Sequence, residues 1–274
     1  MLASAFSSAL GNILVALVIL AGLAVYLTLV RQISARRHAV AFEEGAPVKQ
    51  DFGLPELVVA IAIILLFSYM TLGAVSRPVP EMSTPVIIAN YLLFIAIVLL
   101  VMAYLKIRGF SLDMLGGFSK ITLKRAVSTG VILLLAGWPL IALAEIVTQK
   151  FFGGVPSRQE IVDFFNSSET ISQRVTVIVL AVVAAPIFEE LIFRFFIYGA
   201  LRRYFGITVG LVANSFLFAA AHTHLPSALP LFVLASCFTL AYEWSGSILV
   251  SMAMHTLFNS VQLIFLAFPE LVQQ

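Results

Sequence analysis

The chain has 274 residues, 61% of them hydrophobic and only 11% charged, with a formal net charge of +2. Soluble domains run near half apolar and a quarter charged, so this composition excludes an ordinary soluble globular protein and predicts a polytopic membrane protein. No basic stripe with interleaved aromatics is present, which excludes nucleic acid as a partner, and the single cysteine, Cys237, excludes an intramolecular disulfide and any Cys-rich metal cluster.

Apolar runs that approach or exceed the ~20 residues needed to cross the hydrocarbon core predict about eight spans, roughly 10–30, 54–74, 86–105, 126–147, 174–201, 207–222, 229–243 and 246–267. Helix is the required form, because an unpaired backbone group in lipid costs several kcal/mol. The first run lacks a basic n-region and is too long for a signal peptide, so it reads as a retained span. The fold class is therefore all-α, a bundle with a polar cavity within the membrane. Residues 1–125 are expected to form N-terminal spans plus an interfacial segment, and residues 126–274 a second helix bundle within the same membrane unit.

Basic residues are unevenly distributed among the connections. The first holds Arg31, Arg36, Arg37 and Lys49, with His38 in the same soluble loop. The third holds Lys106, Arg108, Lys120, Lys124 and Arg125, and the turn after the fifth span holds Arg202 and Arg203. These are alternate loops, and basic loops stay on the cytoplasmic side, so both termini are expected outside. The segment Ser111 to Val127 mixes apolar and basic residues and suits the cytoplasmic interface. Ser157 and Glu160, in capping-box spacing, predict a short outer helix over 157–165. The sequon at Asn166 reads as incidental in a prokaryotic inner-membrane protein.

The stretch AAPIFEELIFRFFIYGAL, from Ala184 to Leu201, carries two glutamates and an arginine inside an apolar run. Residues four apart share a helix face, so Glu190 and Arg194 pair and largely neutralise each other. Glu189 lies on the face of Ala185, Phe193 and Phe196, without a partner from its own helix. Pro186, just before the glutamates, removes a backbone donor and is expected to kink the helix. His222 ends the sixth span on one face with Phe218 and Asn214. His255 and Asn259 lie four apart on the eighth. His224 precedes Pro226 and belongs to the turn. Ionisable groups at membrane depth mark functional sites by default.

The sequence contains no GxSxG elbow and no HExxH helix. A glutamate and a histidine are able to deprotonate a water, while a second imidazole and an amide stabilise the oxyanion. Alternatively Glu189, His222 and His255 form the carboxylate-plus-two-histidine set of a catalytic zinc. Either route leads to amide hydrolysis, and these residues leave both open, so a divalent metal such as zinc is a possible cofactor.

Glu-Glu-x-x-x-Arg (Glu189 to Arg194), Phe-x-x-x-His (Phe218 to His222) and His-x-x-x-Asn (His255 to Asn259) resemble, in order and on separate helices, the motifs of the CPBP family of type II CAAX prenyl endopeptidases and bacteriocin-processing relatives. The first four spans match that family only in being hydrophobic. The resemblance implies an intramembrane endopeptidase whose partners are membrane-associated or prenylated protein or peptide substrates. It implies that Glu189 and His222 activate the water, that His255 and Asn259 form the oxyanion hole, and that Glu190 and Arg194 support the site. Many members carry a small residue after the motif arginine; Phe195 departs from this and puts the substrate class in question. Two rival readings are a catalytically silent scaffold or chaperone and an ion-coupled transporter, the second without support from internal repeats.

Overall fold

A computed structural model describes residues 2–41, 52–75, 83–152, 164–165, 168 and 170–268. The expected outer helix over 157–165 and the sequon at Asn166 lie outside the described residues, save for Phe164 and Phe165. The described residues are helical throughout their regular structure, and seven helices are long and apolar enough to cross a membrane. The all-α membrane fold expected from composition is what the chain adopts.

Helix α1 spans Leu2–Ala41, α2 Leu54–Val75, α3 Thr84–Ile107, α4 Leu112–Gly116 and α5 Leu123–Phe151. One correction concerns α1. Its helix continues past residue 30, so Arg31, Arg36, Arg37 and His38 are on helix rather than in a loop. The extension is held by packing: Ile33 is buried, and Arg36 Nη1 donates to the Trp244 carbonyl at 2.7 Å. At the start of α2, the Gly53 amide donates to Glu56 Oε2 at 2.7 Å, and Tyr104 Oη and Arg108 Nε both donate to Oε1 at 3.0 Å. That buried carboxylate clasps α2 to α3.

The next apolar stretch, Ile171 to Ala221, is a succession of helical windings. They are α6 (Ile171–Ile178), a π-helical segment (Val179–Ala184), α7 (Ala185–Glu189), a second π-helical segment (Glu190–Tyr198) and α8 (Gly199–Ala221). Helix α8 breaks at Gly206, whose φ of 80° and ψ of 172° are not helical. The chain reverses there. A Cβ on Gly210 would lie 3.0 Å from the Arg202 nitrogen, whereas an unbroken helix separates residues eight apart by about 12 Å. This stretch is thus two arms of a hairpin, which accounts for the eighth span read from hydropathy. A 3₁₀ turn, Leu225–Ser227, leads into α9 (Ala228–Ser245), and α10 (Ile248–Ala267) follows.

Helix α5 is the central strut, packing on α1, α9 and α10. Small residues let backbones approach closely, as expected where lipid gives no hydrophobic drive to helix pairing. A Cβ on Gly22 would collide with the Ala136 carbonyl oxygen, and Gly130 faces Ala253 and Met254. The main core draws on Phe193, Phe195, Phe196, Phe218 and Phe238. Leu72, Leu100, Ile132 and Leu135 are exposed, an apolar periphery suited to acyl chains.

The Gly206 conformation lies in a region that only glycine occupies readily, and no neighbour approaches its Cβ position. Gly206→Ala is therefore expected to cost ~1–3 kcal/mol through backbone strain alone. Thermal unfolding in detergent would show a lowered midpoint, with Gly73→Ala, which meets no neighbour and needs no special φ, unchanged or slightly raised.

Candidate active site

Three elements carry the polar groups into the bundle: the junction of α7 with the second π segment, the end of α8, and the first half of α10. The centre is the Glu190 carboxylate, which is fully buried. Its Oε1 accepts from Arg194 Nη1 at 2.9 Å and from His255 Nδ1 at 3.0 Å. The first contact is the pair expected from four-residue spacing; the second joins α10 to it. Arg194 is also fully buried. Its guanidinium carbon lies 4.3 Å from the centroid of the Phe218 ring and 5.3 Å from that of Phe238, a contact worth ~2 kcal/mol when desolvated. Arg194 Nε and Nη2 and Glu190 Oε2 have no hydrogen-bond partner among the described residues.

With Nδ1 donating to Glu190, the His255 ring turns Nε2 toward Glu189 Oε2, 3.8 Å away. The ring is 5.1 Å from Phe238 and 5.9 Å from Phe218, centroid to centroid. Glu189 keeps 17% of its side chain exposed. As expected, it makes no hydrogen bond or ion pair with its own helix among the described residues; its close charged neighbour is His255 of α10.

His222 caps the C-terminus of α8. Its Nδ1 donates to the Phe218 carbonyl at 2.8 Å, so Nε2 carries the lone pair of the neutral ring. Its ring lies 4.7 Å from that of Phe218, centroid to centroid, tilted by 50°. Asn214, on the same face of α8, is buried and donates to Thr239 Oγ1 at 3.4 Å instead of joining the site. His224 is in the turn, as expected, with Nδ1 2.7 Å from Ser227 Oγ.

Asn259 Nδ2 donates to the Ala181 carbonyl at 2.7 Å, and Pro186 explains why. In this π segment the Ala185 amide donates back to Leu180. The next donor in that i→i+5 pattern would belong to residue 186, a proline without an N–H. The carbonyl left over is Ala181, and Asn259 satisfies it from α10. Pro186 thus orphans an acceptor that pins α10 to the helix bearing both glutamates.

Phe195 is buried in the main core. Sequence reasoning missed three contributors. Phe218 and Phe238 wall Arg194 and His255, and Tyr91 of α3 lies within electrostatic reach of Glu189. Only Phe218 had a signal, its place in the Phe-x-x-x-His motif. An apolar groove of about 240 Å³ runs between α2 and α8, lined by Ile64, Phe67, Thr71, Phe193, Leu217 and Ala221 among others.

A zinc held by Glu189, His222 and His255 needs all three donor atoms about 2 Å from one point. Among the described residues no three His, Cys, Asp or Glu side chains converge in that way. Phe218 packs against both imidazoles, and His255 commits Nδ1 to Glu190 and aims Nε2 at Glu189. The arrangement does not fit a preformed metal centre.

Residues 171–261 match the model of the family described as Type II CAAX prenyl endopeptidase Rce1-like. The matched stretch runs from the start of α6 into α10 and contains all three motifs, so the family resemblance read from them holds over this part of the chain. No curated protein matches the chain, and no solved structure does.

Removing one partner of a buried ion pair leaves an uncompensated charge and costs ~3–5 kcal/mol. Arg194→Met is therefore expected to lower folded yield and melting temperature at least as much as it lowers any activity. Normal yield by size exclusion, together with normal turnover, would show that Glu190 does not need this partner.

Proposed function

We propose that the chain is an intramembrane endopeptidase of the CAAX type, hydrolysing peptide bonds of membrane-associated or prenylated proteins with a water activated by Glu189 and His222. The observation that carries the reading is the division of the site into two layers. Glu189 and His222 remain partly accessible, while Glu190, Arg194 and His255 are sealed behind them. A base must meet water, whereas the groups that orient it work best in a dry, fixed environment.

In this reading the Glu189 carboxylate takes the proton of the attacking water, with His222 Nε2 accepting a hydrogen bond from the same molecule. Oxygen adds to the scissile carbonyl carbon, and the negative charge moves to the carbonyl oxygen. His255 Nε2, when protonated, and the second Nδ2 hydrogen of Asn259 are the donors for that oxyanion. The proton held by Glu189 then passes to the leaving amine as the C–N bond breaks. Glu190 and Arg194 hold His255 in register and take no proton. The groove between α2 and α8, which Ala221 lines directly before His222 in the chain, offers an apolar berth for a hydrophobic part of the substrate. Residues 126–274 form the catalytic bundle, and residues 1–125 complete the membrane unit. The basic loops face the cytoplasm and both termini the outside of a prokaryotic inner membrane.

The test is cleavage of a farnesylated CAAX peptide and a membrane-protein peptide library by purified protein, read by mass spectrometry with and without a chelator. Wild type is expected to cleave in both conditions. Glu189→Gln and His222→Ala are expected to lose ~10²–10⁴-fold in turnover with unchanged melting temperatures. Asn259→Ala is expected to lose ~10²–10³-fold. Robust cleavage by Glu189→Gln would sink the mechanism, loss of wild-type activity with the chelator would require a metal, and no cleavage by wild type would favour a scaffold.

A further inference from the structure

At the end of the bundle where α1 stops and α5 starts, five exposed cations meet. Arg31 and Arg36 come from α1, Lys120 from the preceding turn, and Lys124 and Arg125 from the first turn of α5. Their proximity follows from packing. Tyr26 Oη donates to the Leu133 carbonyl at 2.8 Å, and Gly22 lies against Ala136. The helices are thus antiparallel, and their register brings Arg31 and Arg36 level with the N-terminal turn of α5. Arg36 Nη1 also donates to the Trp244 carbonyl at 2.7 Å. Lys120 Nζ would lie 3.3 Å from a Cβ on Gly246, so both cations border the same turn between α9 and α10. Trp244 lies among them, its Nε1 donating to Gln32 Oε1 at 2.6 Å.

Among the described residues no hydrogen bond or ion pair to a carboxylate answers this charge, although Asp113 lies within electrostatic reach of Lys120. Helix α1 contains no acidic residue, and the first one in α5 is Glu145, about 30 Å along the helix from Lys124. The described carboxylates at this end are already engaged. Glu243 accepts from Arg202 at 2.6 Å and Tyr198 at 2.9 Å, Asp113 accepts from Ser119, and Glu56 accepts from Arg108 and Tyr104. The positive pole of the 29-residue α5 points into the same region. The free amides of that first turn, with Thr122 Oγ1 taking only the Arg125 N–H, add donors to the cations.

We propose that this cluster is a binding site for the phosphate headgroup of an anionic phospholipid, with the acyl chains lying along the exposed apolar faces of α1 and α5. Ile132 and Leu135 supply one such face and Leu27 and Val30 the other. Juxtamembrane cations contribute additively to attraction for anionic lipid, and the attraction is screened by salt. A bridging phosphate would brace α1, α5 and the Trp244 turn at once, adding to the bonds from Arg36 and to Gln32 that already tie α1 to Trp244. The site is separate from Glu189 and its partners and does not depend on the peptidase reading.

The experiment titrates detergent-purified protein carrying Trp138→Phe, which leaves Trp244 as the only tryptophan, with palmitoyl-oleoyl-phosphatidylglycerol. Phosphatidylcholine and glycerol 3-phosphate serve as separate arms. Trp244 fluorescence is expected to change saturably with phosphatidylglycerol alone, and the midpoint is expected to rise at high salt. Arg31→Gln/Lys124→Gln/Arg125→Gln is expected to weaken binding by at least about tenfold while still melting cooperatively. If the triple variant fails to fold, Lys124→Gln alone is expected to weaken binding by about threefold to fivefold. An equal response to phosphatidylcholine, or unchanged binding by the charge variants, would overturn the site. Saturation by glycerol 3-phosphate would make it a soluble-anion site and overturn the lipid assignment.

Discussion

The geometry of the site depends on one carboxylate oxygen. Glu190 Oε1 accepts from Arg194 on its own helix and from His255 on α10, with no water-exposed surface on any of the three groups worth the name. In so dry a setting the charges have only each other and the aromatic rings to replace their hydration, and losing any one strands the others. That is a poor way to gain stability, since apolar residues of like volume would pack as well. It is a good way to fix orientation. His255 cannot rotate without giving up Glu190, and while it holds Glu190 its other nitrogen faces Glu189.

Winding of the helix serves the same end. An ordinary α-helix would put Glu189 about 100° from Glu190 and leave Arg194 to Glu190 alone. The π-helical turns on either side of α7 redistribute those angles, while Arg194 keeps its bond to Glu190 and Glu189 faces His255. The cost of π winding falls partly on carbonyls that lose their donors. Pro186 makes one such loss permanent at Ala181, and Asn259 answers it from another helix. What looks in isolation like a defect in α6 and α7 is a tether between the segment carrying the acids and the helix carrying His255.

Much of this was legible in the residues themselves, because lipid restricts the options. A long apolar run has to be a helix, so the spans followed from hydropathy alone, and the break between the fifth and sixth lies at Gly206. Glu190 and Arg194 declared their pairing by spacing. What the sequence did not disclose depends on facts that are not local. The shared use of Glu190 by His255 joins residues 65 apart in the chain. The Phe238 wall comes from a helix with no charged motif. The π turns had a partial signal in Pro186, but a proline predicts a kink as readily as a change of winding. The continuation of α1 past residue 30 was hidden because its stabilising contacts, Arg36 with Trp244 and Gln32 with the same residue, also span the chain.

The tether changes how Asn259 is to be understood. His255 and Asn259 are one turn apart on α10, and each is bonded to the same opposing segment, His255 to Glu190 and Asn259 to Ala181. Two bonds on one face define both the rotation of α10 and its height against α7, which one bond alone would leave free. The gap between His255 Nε2 and Glu189 Oε2 is set by that pair of contacts. An oxyanion donor acts directly on the reacting atoms, and a tether acts on the distance between two other groups. Asn259 has two amide hydrogens and is equipped for both tasks at once, since one hydrogen is spent on Ala181 and the other is not. On the proposed mechanism a substitution at this position would disturb the acids as well as the oxyanion, and its effects on turnover and on stability would share an origin in a backbone carbonyl that Pro186 left without a donor.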